Sequence, residues 1–70
     1  MSDKELSLRC LNVVAWFRSR RKHCGEDLTE AIVRWTQLAA FSEAGWLNDA
    51  GRRAVMVWYE AIEAEEEAAD

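Results

Sequence analysis

The sequence predicts an all-α fold: two or three antiparallel helices forming a small helical bundle, in a single domain over residues 1–70. Three observations carry this. The 70 residues contain no proline and only three glycines, so little interrupts a helix. Apolar residues recur three and four apart, the period of an amphipathic helix. Side chains suited to capping stand at intervals that divide the chain into helix-length segments.

Helix one is expected over about 3–24. Ser2 followed three residues later by Glu5 is a capping box, and the basic turn before Gly25 suits the negative end of the helix dipole. Asp27 and Glu30 repeat the capping-box spacing, which predicts helix two over about 28–44 with Gly45 as its stop. Asn48 or Asp49 is a fair N-cap for helix three, expected over about 49–64 and followed by a frayed acidic tail at about 65–70. Because Gly45-Trp46-Leu47-Asn48 is short, helices two and three could instead merge into one bent rod.

Steps of about 100° per residue sort the faces. Helix one gathers Leu6, Cys10, Val13, Val14 and Phe17. Helix two gathers Leu28, Ala31, Ile32, Trp35, Leu38 and Ala39. Helix three gathers Ala50, Ala54, Val57, Trp58, Ala61 and Ile62. These stripes are the expected core. Leu8, Leu11 and Ala15 widen the apolar face of helix one, as Val33 and Ala40 do for helix two. Three short helices struggle to bury so much apolar surface, so a homodimer through Leu8, Leu11 and Ala15 is expected.

Half of the residues are hydrophobic and 31% are charged, the balance of a folded chain. No apolar run approaches bilayer length, and Met-Ser-Asp-Lys-Glu lacks the order of a secretory signal, so a cytoplasmic protein without a membrane partner is expected. Cys10 and Cys24 lie fourteen residues apart on one helix. At 1.5 Å per residue that is roughly 21 Å, too far for a disulfide. With His23 as the lone histidine, the chain lacks the four converging ligands of a structural zinc site. Neither a metal nor a cofactor is expected, and both cysteines read as reduced, partly buried small hydrophobes.

Charge is polarised. Residues 1–25 hold six Lys or Arg against two acids, and residues 26–70 hold three against eleven, so the segments carry about +4 and −8 and offer two electrostatic faces. The densest basic run, Arg18-Ser19-Arg20-Arg21-Lys22-His23, reads as a solvated, dipole-complementing turn, as a site for an acidic protein, or as a phosphate contact. A helix-turn-helix needs a small residue, a turn glycine and an apolar residue in fixed order. Phe41 and Gly51 break that order around Gly45, and Leu47 breaks it around Gly51. The carboxylates Glu60, Glu63 and Glu65 to Glu67 read as a solvated helix end or as a phosphate mimic. With nothing to bury them and the histidine elsewhere, they compose no catalytic set. An enzyme is not expected.

Four tryptophans in so short a chain are the strongest functional signal, because Trp supplies much of the energy of protein interfaces. Trp35 and Trp58 fall on core stripes. Trp16 projects among Asn12, Arg20 and His23, Phe41 among Glu30, Arg34 and Gln37, and Trp46 lies in the loop after Gly45. The expected partner-binding residues are therefore Trp16, Arg20, Arg21, Arg34, Phe41 and Trp46, a mixture of aromatics and arginines typical of hot spots. The expected function is non-enzymatic protein binding. The runner-up is a small nucleic-acid-binding transcriptional regulator using the basic end of helix one.

In its size, its lack of proline, its tryptophans and its charge polarity, the chain resembles the small proteins that bacteriophages express to disable a host protein, quorum-sensing anti-activators among them. The stretch Gly45-Trp46-Leu47-Asn48-Asp49-Ala50-Gly51-Arg52-Arg53-Ala54 is its most phage-like part. The resemblance implies an inhibitor in the host cytoplasm that binds a transcriptional activator, and also a pilus-assembly ATPase, without chemistry of its own.

Overall fold

The computed structural model describes residues 2–68, and among these all regular structure is helical: α1 Asp3–Cys24, α2 Thr29–Glu43 and α3 Asp49–Ala68. There are three helices, and no bent rod joins the last two. Gly45 takes a left-handed φ of 75° and Asn48 restarts the chain, its Oδ1 accepting the Gly51 N–H at 2.8 Å. A left-handed residue cannot continue a right-handed helix, and an Asn side chain satisfies one of the N–H groups that a new helix leaves without a partner.

Helix α1 begins and ends where its signals place it. Ser2 Oγ accepts the Glu5 N–H at 3.1 Å, and Gly25 closes the helix at φ 70° with its N–H donating to the Arg21 carbonyl. Helix α2 starts one residue later than expected, because Asp27 Oδ1 accepts the N–H of Thr29 at 3.2 Å, leaving Leu28 as a cap residue without a side-chain bond. Helix α3 runs four residues past its expected end, to Ala68. Glu66 is ion-paired to Arg20 of α1, which holds the expected frayed tail in helix as far as it is described; positions 69–70 lie outside the described residues.

The helices run up, down and up. Ser42 near the end of α2 donates through Oγ to the carbonyl of Asp3 at 2.8 Å, so α1 and α2 are antiparallel. Arg52 pairs with Asp3 at 3.0 Å and Glu66 with Arg20, so α3 lies parallel to α1, start beside start and end beside end.

The core is Leu6, Cys10, Val13, Val14 and Phe17 of α1, Ile32, Trp35 and Ala39 of α2, and Val55 and Tyr59 of α3. The stripes expected on α1 and α2 point inward, with Leu28, Ala31 and Leu38 partly buried against the cluster. Of the stripe expected on α3, Ile62 packs against the cluster and most of the rest does not. Val55 and Tyr59 are buried, with Met56 and Ile62 packed beside them, whereas Val57 is 63% exposed, Trp58 is 51% exposed, and Ala50 and Ala61 face outward.

The cause lies in the partners that α1 offers. Tyr59 lies under the Arg9 guanidinium, 5.3 Å from its ring centre, and against Trp16 at 5.5 Å. Arg52 and Glu66 on the same side of the helix reach Asp3 and Arg20. An aromatic ring with ion pairs at both ends of its stripe outweighs an alanine-rich arc, because each alanine buries little area.

Leu8, Leu11 and Ala15 do not widen the buried face of α1. They form a separate exposed strip on its far side.

Candidate functional site

Six of the seven aromatic rings stand in three pairs, and each pair has a different place in the fold. Trp16 and Tyr59 join α1 to α3. Trp35 and Trp58 meet edge to face at 6.5 Å and join α2 to α3. Phe41 and Trp46 join nothing: their rings stack at 5.6 Å on the surface, with an interplanar angle of 27°.

This last pair is built by the end of α2. The Ser42 carbonyl accepts the Gly45 N–H at 3.0 Å, and the Phe41 carbonyl accepts the Trp46 N–H at 2.9 Å. These two bonds and the left-handed Gly45 fold the chain back over the last turn, which lays the Trp46 indole on the Phe41 ring. Trp46 is nonetheless 73% exposed, the most exposed large apolar side chain among the described residues, and Phe41 is 39% exposed. A ring fixed by its neighbour and open to solvent is pre-ordered for contact, so a partner loses less side-chain entropy in burying it. Arg34, two turns before Phe41 on the same side of α2, is exposed, and it adds a donor beside an apolar patch.

The six residues expected to bind a partner do not form one surface. Phe41, Trp46 and Arg34 share the α2 face. Trp16, expected to project into solvent, is instead partly buried against Tyr59, and Arg20 is ion-paired to Glu66 with its guanidinium 5.9 Å from the Phe17 ring centre. Arg21 donates to the Thr29 hydroxyl at 3.3 Å, across the α1–α2 turn. These three fasten helices together.

Trp58 moves the other way, from expected core to exposed surface. The α3 register caused both misreadings. With Tyr59 turned to α1, Trp16 gains a partner and Trp58 loses its place in the core.

The carboxylates of α3 are also occupied in structure. Glu63 accepts the Tyr59 hydroxyl at 3.1 Å, and Glu66 holds Arg20. Burial, followed by the bond to Glu63, raises the Tyr59 phenol above its usual range. Among the described residues no group of three or more His, Cys, Asp or Glu could hold a metal ion, and no helix is long and apolar enough to cross a membrane. Both cysteines are free. Cys10 is fully buried and its thiol is pushed up to about 11 by burial, whereas Cys24 is exposed rather than partly buried, because it is the last residue of α1 and α2 turns away after it.

A groove of about 620 Å³ runs between the start of α1 and α3, lined by Leu6, Asp49, Arg53, Met56, Val57 and Glu60 among others. It contains no histidine, cysteine or hydroxyl nucleophile. In comparisons with known proteins, no family model, no curated protein and no solved structure matches the chain.

Proposed function

We propose that this chain is a non-enzymatic binding protein that docks a protein partner on the face made by Arg34, Phe41 and Trp46. The observation that carries this is the stacked Phe41–Trp46 pair, held by backbone hydrogen bonds and left exposed. A small domain gains nothing in stability from presenting an indole to water, whereas a protein interface gains most from such a ring. On the likeness to phage host-takeover proteins, the partner is a host transcriptional activator of quorum sensing or a pilus-assembly ATPase, and binding inactivates it by covering a working surface. The basic end of α1 supports a nucleic-acid reading less well, because Arg20 and Arg21 already hold Glu66 and Thr29.

The test is quantitative capture from a bacterial lysate on immobilised chain, comparing the natural sequence with Phe41→Ala/Trp46→Ala. A protein retained by the former and lost with the latter, at unchanged helical circular dichroism, supports the reading. Equal retention by both contradicts it.

A further inference from the structure

The outward face of α3 has the spacing of a helix–helix seam. Ala50, Ala54, Val57, Ala61, Ala64 and Ala68 follow one another at intervals of four, three, four, three and four residues, a heptad repeat with every inner position apolar. It spans roughly 27 Å at 1.5 Å per residue. None of the six is buried in the folded chain, and Trp58 stands at its edge, half exposed. Among the described residues nothing buries this face, though Ala54 is half-buried, since α3 turns Val55 and Tyr59 to the core.

We propose that the face is covered by the α3 of a second copy, lying antiparallel. The register follows from pairing the inner positions. Val57 meets the other copy's Ala61, Ala54 meets Ala64, and Ala50 meets Ala68. Small side chains at these positions let the two backbones approach closely. On one flank the order of charges is Arg53, Glu60, Glu67. In the antiparallel register each Arg53 lies beside the second copy's Glu67, giving two opposite-charge pairs, while the two Glu60 side chains face each other at the centre. On the other flank the two Trp58 rings meet. A parallel pairing sets each Glu60 beside the second copy's Glu65 and leaves Arg53 beside Trp58 without an acidic partner, which disfavours it.

The strip of Leu8, Leu11 and Ala15 is the poorer seam. It covers two turns, and antiparallel pairing through Leu11 places Lys4 against the second copy's Arg18. This inference does not depend on the Phe41–Trp46 reading, because the two faces lie on different helices.

Light scattering behind size exclusion, on the full chain at tens of micromolar, gives twice the 8.1 kDa chain mass if the inference holds. Ala61→Glu then returns the mass to one chain with helicity retained, since Ala61 is exposed. Arg53→Glu weakens the dimer about tenfold, adding Glu67→Arg restores it, and Glu60→Gln tightens it. In a Cys24→Ser background, Ala50→Cys chains mixed with Ala68→Cys chains are joined by a short bismaleimide, whereas neither variant joins to itself, because like positions lie roughly 27 Å apart along the antiparallel pair. A single-chain mass throughout overturns the inference. So does a dimer broken by Leu8→Glu/Leu11→Glu but not by Ala61→Glu, or an Ala50→Cys chain that links to itself.

Discussion

At the scale of single residues, the fold divides its aromatic rings into those that hold the chain together and those that face out, and size alone does not decide which. Trp35 and Trp46 are the same side chain in opposite settings, 6% and 73% exposed. Truncating Trp35 to Ala should cost about 3–5 kcal/mol, enough to unfold a domain whose whole stability is of that order. Trp46→Ala should leave the melting temperature nearly unchanged while weakening a partner complex by about 2 kcal/mol or more. The thiols offer a cheaper check of the same division. Cys24 is exposed, whereas Cys10 is fully buried with a raised pKa, so Ellman's reagent should titrate Cys24 at once and Cys10 only as the chain unfolds.

Helix α1 was legible in the sequence to the residue, because its limits are set by local chemistry: a serine cap, a left-handed glycine and an apolar stripe without a rival. Helix α3 was not. It has two apolar arcs, and counting favours the alanine-rich one, while the buried arc is shortened by a phenol and by charges at 52, 63 and 66. The usable signal was the pattern of those charges. Asp3 to Arg52 and Arg20 to Glu66 are separated by nearly the same offset, as parallel helices require. The setting of Trp16 was hidden for the same reason, since it depends on where Tyr59 turns. Phe41 and Trp46 were legible because the glycine between them predicts a turn.

Two predictions belong at the scale of the element. The Asp27 carboxyl is held below the usual range, first by the Thr29 backbone N–H, then by the Thr29 side chain, with Arg21 nearby. A depressed carboxylate pKa contributes stability above the unfolded value and loses it as pH falls through the folded one. The start of α2 should therefore loosen in acid, and Asp27→Ala should remove that part of the pH dependence of the melt. The Tyr59 phenol is shifted the other way. Its contribution is present below the unfolded pKa near 10 and is lost as pH rises through the folded value. Spectrophotometric titration should find this tyrosine ionising late, with loss of α3 packing in alkali, and Tyr59→Phe should abolish the signal at a cost of about 1 kcal/mol.

For the molecule as a whole, the proposed seam and the helix-joining place of Trp16 rest on one claim, that Val55 and Tyr59 of α3 face the core while Val57 and Trp58 face out. Thermal melts of Val55→Ala, Tyr59→Ala, Val57→Ala and Trp58→Ala at sub-micromolar concentration, where self-association contributes least, test it directly. The account predicts losses of about 2 kcal/mol or more for the first two and less than about 1 kcal/mol for Val57→Ala, with Trp58→Ala between them through its edge contact with Trp35. A melt in which Val57→Ala is as damaging as Val55→Ala would contradict the register of α3, and with it the proposed seam.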